Sequence, residues 1–295
     1  MYHVIDLHFQ GLDQAIAAFL IKSEDGPILI ETGPYSTFQS LETGLALHGY
    51  KVSDVKHVLL SHIHFDHAGA AWAFAEHGAN IYLHPFGYDH MHDPSKLVAS
   101  ATMIYGDKMD ELWGAMKGID EDRLKAVKHE QKVKIGGESF VALHTPGHAK
   151  HHIAWQWGEI IFTGDLAGVK INNGPVVPPC PPPDINLEDW NKSIDLVLSK
   201  NPSKLVLTHF GEEQDPVGHM NEMKEILNNW AFWMKVKWES GFSNDEITPQ
   251  FMEYTSNQLS QKGVSQIGIQ QYEAANPSWM SVAGLVRYWK KKGAS

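Results

Sequence analysis

The stretch His62-Ile63-His64-Phe65-Asp66-His67 places three imidazoles and one carboxylate within six residues. It follows the apolar run 55–60, which predicts a buried strand, and precedes a run of small residues that predicts a helix. In an extended segment His62 and His64 share one face, and the turn that follows can aim the last two polar side chains at a second point. Histidine nitrogen and carboxylate oxygen suit zinc, iron or manganese. The stretch therefore predicts a metal site on a strand-to-helix turn.

Three further strand ends carry candidate ligands beside glycine-containing turns. His148 follows the strand predicted over 140–144, Asp165 follows that over 159–163, and His209 follows that over 205–207. Functional groups commonly lie on loops that a rigid scaffold positions. We therefore add these three residues to the candidate metal ligands.

The seven candidate ligands divide into two sets around a shared carboxylate. The sets are His62, His64 and His148 for one metal, and Asp66, His67 and His209 for the other. Asp165 would bridge the two metals because a carboxylate has two oxygens to share. The coordination positions left open for water are typical of a catalytic rather than a structural site.

Length and composition indicate a globular protein with a sizeable core. The chain has 295 residues, of which 43% are hydrophobic and 20% charged, and this length suits one large domain or a domain with an appendage. The net charge of −11 argues against a general nucleic-acid binder, which needs a basic face. No apolar run approaches the roughly 20 residues that span a bilayer. We therefore expect a small-molecule substrate, and neither nucleic acid nor membrane as a partner.

The single cysteine, Cys180, excludes an intramolecular disulfide and fits a reducing compartment. The first residues lack the basic and apolar regions of a secretory signal. A cytoplasmic location is therefore expected. No reactive role is expected for Cys180, because nothing basic lies beside it in the sequence.

The apolar periodicity predicts a mixed α/β (α+β) chain. Strands are predicted over residues 4–9, 15–22, 27–31, 55–60, 80–83, 140–144, 153–157, 159–163 and 205–207. Helices are predicted over residues 37–48, 68–76, 95–103, 109–117, 120–127, 188–198, 220–238, 243–259 and 278–291. The opening antiparallel meander and the later alternation of strand and helix indicate an αββα layering, with strands inside and helices outside. Residues 168–186 are rich in proline and predict a loop.

The helical segments predict two additions to this core. We expect a catalytic domain over residues 1–217 with a helical insertion at about 85–131, and a helical C-terminal extension over 218–295. The insertion is too short to bury much surface alone. The extension holds five of the ten tryptophans and is amphipathic. It is therefore expected to pack on the core or to form a homodimer.

Four motifs, HIHFDH at 62–67, TPGHA at 145–149, TGD at 163–165 and THFG at 208–211, resemble the metallo-β-lactamase-fold hydrolase superfamily in order and separation. The resemblance covers roughly residues 1–212. It implies the αββα four-layer sandwich of that type and the ligand assignment above. TPGH followed by His151 and His152 looks like the glyoxalase II-like branch. Glu31-Thr32-Gly33 stands where the superfamily usually has Asp-Thr-Gly, which implies that Glu31 orients a ligand.

Two divalent metal ions at such a site predict a hydrolase. Zinc is expected, with iron or manganese as the alternatives. A metal lowers the pKa of its bound water to roughly 7, so a hydroxide bridging the metals would attack a small ester, thioester or lactone, with Asp66 orienting it as the catalytic residue. Two other functions stay open: a mononuclear-iron persulfide dioxygenase, which resembles this branch in its motifs, and a metal-binding scaffold without chemistry.

Substrate contacts are predicted from the segments 9–14, 88–105 and 170–183. The candidate side chains are Tyr88, Tyr105, Lys170 and Asn172. Other histidines are expected to pack or to orient ligands rather than to bind metal, namely His84, His144, His151 and His152. His90 and His92 are expected on the surface, because no carboxylate or turn accompanies them.

Overall fold

A computed structural model of the chain describes residues 1–293 and contains two six-stranded sheets. Residues 294 and 295, the end of the predicted extension, lie outside the described residues. The first sheet consists of β1 (Tyr2–Asp6), β2 (Ala17–Ile21), β3 (Ile28–Ile30), β4 (His57–Leu59), β5 (Asn80–Leu83) and β6 (Leu124–Ala126). The second sheet consists of β7 (Gln131–Ile135), β8 (Glu138–His144), β9 (Ile153–Trp157), β10 (Ile160–Phe162), β11 (Lys204–Leu207) and β12 (Gly211–Glu213).

Strand direction brings the ends of three strands of the second sheet to one edge. In the first sheet β1 to β3 pair antiparallel and β3 to β6 pair parallel. In the second sheet neighbours are antiparallel, except for the parallel pair β10 and β11. It follows that β8, β10 and β11 run in the same direction. The turns after these three strands, which carry predicted ligands, therefore lie at the same edge.

Aromatic side chains fill the space between the two sheets. Phe19 of the first sheet and Phe140, Trp155 and Phe162 of the second are at most 2% exposed. The ring centres of Phe19 and Phe162 are 5.3 Å apart. Burial of a large apolar side chain stabilises a fold by about 1.5–3 kcal/mol, so this layer contributes strongly to the stacking of the sheets.

Helices cover the outer faces of both sheets and confirm the αββα layering. Within residues 1–293 the α-helices are α1 (Phe38–Leu47), α2 (Phe65–Ala68), α3 (Ala71–Glu76), α4 (Tyr88–His92), α5 (Ser95–Tyr105), α6 (Met109–Trp113), α7 (Leu187–Ser199), α8 (Pro216–Glu239), α9 (Asn244–Gln261), α10 (Gln266–Ala275) and α11 (Ser278–Gly293). Asn186 caps α7, since its side chain accepts a hydrogen bond from the Asp189 N–H at 3.0 Å. None of the helices in this range has the length and apolar character needed to cross a bilayer.

The helix predicted over residues 120–127 is wrong, because the short edge strand β6 forms there. Leu124 lies opposite Ile81 of β5, and the Ile81 N–H donates to the carbonyl of Arg123 at 2.9 Å. Pairing with a neighbouring strand decides the structure of such a short segment, and the apolar periodicity of the segment carries no information about that pairing. The helices of the insertion are therefore α4 to α6.

Other helical segments also differ from the prediction. The helix predicted over 109–117 ends at Trp113, where Gly114 adopts a φ of 66°. The short helix α10 occupies a segment for which no helix is predicted. The domain boundary after residue 217 stays a prediction, and α8 begins at Pro216.

The C-terminal helices bind the backbone of the proline-rich loop, which we define as residues 175–183. The Tyr272 hydroxyl donates to the carbonyl of Pro175 at 2.7 Å, and the Asn276 side-chain amide donates to that of Pro178 at 3.2 Å. The Cys180 N–H donates to the Ser281 hydroxyl at 3.3 Å. Because the proline carbonyls in this loop have no strand ladder to join, α10 and its C-terminal cap satisfy those of Pro175 and Pro178. The start of α11 accepts the Cys180 N–H instead.

Cys180 lies inside this contact and is fully buried. Burial raises the pKa of its thiol, which keeps the sulfur protonated and unreactive. The expectation that Cys180 plays no reactive role agrees with this position.

Substitution of Gly284 tests the contact between α11 and the proline-rich loop. A Cβ atom on Gly284 would lie 1.9 Å from the carbonyl oxygen of Cys180. Alanine favours a helix by about 1 kcal/mol over glycine, yet we expect Gly284→Ala to lower the free energy of unfolding by about 1–3 kcal/mol, because the helix must move away from the loop. Urea denaturation measures this change.

The neighbouring variant Ala283→Gly provides the matched control, because it changes helix propensity without adding an atom. It should cost about 1 kcal/mol. A Gly284→Ala protein that is as stable as the wild type would contradict the close contact.

Candidate metal centre

The seven predicted ligands converge at the edge of the sandwich where β4, β8, β10 and β11 end. Their nitrogen and oxygen atoms form overlapping groups in which all atoms lie within 4.8 Å of one another. These groups are His62 with His64 and His148, His62 with His67 and Asp165, and Asp66 with His67 and His209. We call the first group the first cluster and the third group the second cluster.

In the first cluster three imidazole nitrogens point at a common space. His64 Nδ1 lies 2.9 Å from His62 Nε2 and 3.0 Å from His148 Nε2. Asp165 Oδ2 lies 3.2 Å from His148 Nε2 and 4.0 Å from His62 Nε2. Three nitrogens and one carboxylate oxygen therefore face the same point.

In the second cluster a carboxylate and two imidazoles converge in the same way. His67 Nε2 and His209 Nε2 are 3.3 Å apart, and Asp66 Oδ2 lies 3.6 Å from each of them. Asp165 Oδ1 lies 3.1 Å from His67 Nε2 and 3.3 Å from His209 Nε2. Asp165 thus turns one oxygen to each cluster.

Backbone carbonyls fix the orientation of two imidazoles. His148 Nδ1 lies 2.8 Å from the carbonyl oxygen of Pro179, and His209 Nδ1 lies 2.7 Å from that of Ala15. A carbonyl only accepts hydrogen bonds, so both Nδ1 atoms carry the proton and donate it. In a neutral ring the Nε2 lone pair is then free and points into the cluster, which is how proteins commonly orient metal-binding histidines.

Glu31 orients a third imidazole, as the sequence predicts. Its Oε1 lies 3.2 Å from His67 Nδ1, and its Oε2 accepts a hydrogen bond from the Ser61 N–H at 3.3 Å. The side chain is buried, and the backbone of Glu31 has a φ of 63°. A non-glycine residue in that region costs about 1–3 kcal/mol and is typical of functional sites. The 3.2 Å distance shows that Glu31 contacts His67, although glutamate is one methylene longer than aspartate.

The two clusters differ in charge. Burial lowers the pKa of His64 to about 3, and it also lowers the pKa of His62 and His148, so the first cluster is neutral near pH 7. Burial opposes protonation of His209 as well, but the carboxylate of Asp165 outweighs it and raises the pKa of His209 to about 9. The carboxylates of Asp165 and Asp66 therefore attract positive charge at the second cluster.

The arrangement fits divalent cations by an observation that is independent of the motifs. Asp165 is 3% exposed, and no hydrogen bond of good geometry from residues 1–293 reaches its Oδ1, whose nearest nitrogens are the ion-pair contacts His67 Nε2 at 3.1 Å and His209 Nε2 at 3.3 Å. A buried carboxylate oxygen without such a partner is costly unless a cation neutralises it. Imidazole nitrogens and carboxylate oxygens that converge on two points are ligands that zinc, iron and manganese accept.

A cavity of about 190 Å³ opens onto the clusters. Its floor includes His64, Asp66, His148 and Asp165. Its walls come from the insertion, the proline-rich loop and the junction between α10 and α11, and include Ala101, Ile104, Tyr105, Trp113, Pro179 and Met280. The α10–α11 junction gives no motif in the sequence, so its part in the wall is visible only in the structure.

One of the four predicted substrate contacts lines this cavity. Tyr105 is a wall residue, whereas the other three lie outside the set of residues that line it. The Tyr88 hydroxyl donates to the carbonyl of Glu121 at 3.3 Å, and Lys170 forms an ion pair with Glu213. Asn172 is exposed. The insertion thus contributes to the wall through α5 and α6 rather than through α4.

The remaining histidines hold the backbone of other residues or pack against neighbouring rings. His152 Nε2 accepts a hydrogen bond from the Asp165 N–H at 3.1 Å, so His152 holds the backbone of a candidate ligand. The rings of His84 and His144 contact at a tilt, with centres 4.1 Å apart, and His144 Nε2 donates to the carbonyl of Val127 at 2.9 Å. His151 packs beside His64, with ring centres 5.5 Å apart. None of these four belongs to the ligand groups found in residues 1–293.

His90 and His92 also lie outside the ligand groups within the described residues. His92 is exposed, as predicted, and His90 is half-buried.

Comparison with known proteins agrees with the site. Residues 13–209 match the family described as the metallo-beta-lactamase superfamily. The metallo-beta-lactamase fold-containing protein ST1585 of Sulfurisphaera tokodaii is 29% identical over 164 residues, which cover 52% of this chain and 60% of the relative. The thioesterase pkgB of Emericella nidulans is 26% identical over 154 residues, which cover 52% of this chain and 36% of the relative. The chain thus spans less than two thirds of the length of either relative.

A solved structure extends the likeness to nearly the whole chain. The crystal structure of ST1585, described as an archaeal metallo-beta-lactamase superfamily protein from Sulfolobus tokodaii, superposes with a TM-score of 0.68 at 20% sequence identity. The superposition covers 96% of this chain and 97% of that structure, so it includes the C-terminal helices. The fold, the family match over residues 13–209 and the paired clusters lead to one assignment. The chain belongs to the metallo-beta-lactamase superfamily.

Proposed function

We propose that the chain is a dinuclear metal-dependent hydrolase of a small ester, thioester or lactone. The observation that carries this proposal is the buried Asp165 carboxylate, which turns Oδ1 and Oδ2 to two separate ligand clusters. A single metal would leave one cluster of converging nitrogens and oxygens without a cation. Two clusters that share a carboxylate are typical of hydrolytic two-metal sites.

The proposed ligands are those predicted from the sequence. One divalent ion would be held by the first cluster with Asp165 Oδ2, and the other by the second cluster with Asp165 Oδ1. Zinc is proposed for both because nitrogen and oxygen ligands at tetrahedral or five-coordinate sites suit it. Bound ions of this kind lower the pKa of a water ligand and polarise a carbonyl oxygen.

Asp66 is the side chain of this chain that we propose acts on the attacking water. It lies on the cavity floor, and its side chain is 20% exposed, whereas that of Asp165 is 4% exposed. Its Oδ2 faces His67 and His209, so its second oxygen is available to accept a hydrogen bond from a water on the floor. Such a hydrogen bond orients the water for attack, and the Asp66 carboxylate can then receive the proton of that water.

The name of one relative supports an acyl substrate. One matched relative carries the name thioesterase, at 26% identity over 154 residues. We extend that chemistry to this chain only as part of the proposal. The likeness to the glyoxalase II-like branch, the cytoplasmic location and the homodimer through the C-terminal helices all stay predictions.

Metal content tests the shared carboxylate. We expect wild-type protein loaded with zinc and dialysed to retain two equivalents per chain. Asp165→Asn should retain at most one, because each cluster loses a charged oxygen and metal affinity falls by at least about 10–100-fold. Metal analysis by mass spectrometry measures the stoichiometry.

Asp184→Asn is the matched control for this experiment. Asp184 pairs with Lys150 at 3.6 Å and lies outside the ligand groups of the described residues. It should retain both equivalents. Two retained equivalents in Asp165→Asn would contradict the shared carboxylate.

Turnover of a substrate panel tests the reaction. Protein loaded with zinc, manganese or iron should hydrolyse at least one member of a panel of small neutral esters, thioesters and lactones. Asp66→Ala should lower kcat/KM by at least about 100-fold, the usual contribution of a positioned general base. Asp89→Ala, a change at an exposed residue of α4, should leave kcat/KM within about twofold.

If no panel member is hydrolysed with any of the three metals, the hydrolase proposal is contradicted. Oxygen uptake with glutathione persulfide by protein that binds one iron would instead indicate the dioxygenase. Metal binding without either activity would indicate the scaffold.

A further inference from the structure

The walls of the cavity carry almost no charge. Among the described residues that line it, none is a lysine or an arginine, and the acidic residues are Asp66 and Asp165 on the floor. Most of the wall is aliphatic, aromatic or proline side chain. A charged group above the floor would therefore lose its hydration without finding an opposite charge, which is costly.

The walls also offer few side-chain hydrogen bonds, because their polar side chains are Ser100, Tyr105, Trp113 and Asn276 alone among the described lining residues. The Asn276 side-chain amide lines the cavity but donates to Pro178 at 3.2 Å. Trp113 lines the cavity, and its Nε1–H is buried and donates to none of residues 1–293. Apolar contact rather than polar recognition therefore supplies most of the affinity for whatever fills this space.

The size of the cavity limits the group that can fill it. A dry cavity of about 150 Å³ in another protein holds a benzene molecule. The cavity here has about 190 Å³ and is open on one side. It thus accommodates a ring or a chain of roughly six carbons, judged by that comparison.

We propose that the cavity binds an uncharged, apolar group of about six carbons attached to the reacting ester, thioester or lactone, and that it disfavours substrates with a charge in this group. The proposal rests on the hydrolase function above and adds the substrate class. The reacting carbonyl would lie on the floor, and the apolar group would lie between α5, the proline-rich loop and the α10–α11 junction. Thioesters whose acyl group ends in a carboxylate are poor substrates on this account.

Binding of matched amides tests the proposal without any turnover. N-methylhexanamide is the neutral probe, and 6-(methylamino)-6-oxohexane-1-sulfonate is a probe of similar length whose terminal sulfonate carries a negative charge but, unlike a carboxylate, coordinates zinc weakly. Calorimetric titration of the zinc-loaded chain should show the neutral probe binding at least about tenfold more tightly. Affinity should rise about fourfold per methylene from N-methylacetamide to N-methylhexanamide.

Two lysine substitutions on α5 test whether the preference for the neutral amide arises in the cavity or elsewhere on the surface. Ile104 lines the cavity and is 44% exposed, while the adjacent Met103 is 83% exposed and is not a lining residue. Ile104→Lys places a cation at the wall, so the preference for the neutral over the charged amide should fall by at least about tenfold. Met103→Lys is the matched control and should leave this preference within about twofold. Both positions have solvent access, so both variants should fold.

Turnover of the corresponding p-nitrophenyl esters distinguishes failure of this proposal from failure of the hydrolase. Hydrolysis of the acetate, hexanoate and adipate monoester at similar kcat/KM would overturn the apolar substrate class and leave the hydrolase intact. Hydrolysis of none of them, together with tight binding of the neutral amide, would overturn the hydrolase and support the cavity preference. Equal binding of the two amides by the wild type, or an equal effect of the two lysine variants, would overturn the cavity preference.

Discussion

The buried Asp165 carboxylate is the constraint on which the site depends. Its two oxygens lie 3.1 Å from His67 Nε2 and 3.2 Å from His148 Nε2, so it joins residues from the first sheet and the second. A carboxylate this deeply buried is stable only when positive charge or donors surround it. The fold meets that demand by ending β4, β8, β10 and β11 at one edge of the sandwich. The αββα layering therefore positions the two candidate ligand clusters on either side of Asp165.

The C-terminal helices are connected to this site through the proline-rich loop. Pro179 accepts the hydrogen bond from His148 Nδ1, and Cys180 next to it donates to Ser281 of α11. The same helices contribute Met280 to the wall of the cavity. The extension thus supports a candidate ligand and shapes the space above it. Its contribution to the site is made within one chain, whatever the oligomeric state.

The seven candidate ligands could be singled out from the sequence because each is a histidine or aspartate close to the end of an apolar strand, and their role as metal ligands stays a prediction. The orienting role of Glu31 is predicted from the resemblance instead, because Glu-Thr-Gly stands where that superfamily usually has Asp-Thr-Gly. The sequence does not predict β6, because pairing of Leu124 with Ile81 decides that strand. Nor does it predict the wall formed by Met280, because packing of α11 against the proline-rich loop places that side chain. Residues 170 and 172, chosen by their place in the loop, lie outside the lining of the cavity.

Anomalous diffraction at the zinc edge, from crystals of the zinc-loaded chain, locates each bound ion relative to Asp165. We expect two anomalous peaks. One should lie among His62, His64 and His148, and the other among Asp66, His67 and His209, with one Asp165 oxygen on each. A single peak, or two peaks of which only one contacts Asp165, would contradict the shared carboxylate and the two-metal site built on it.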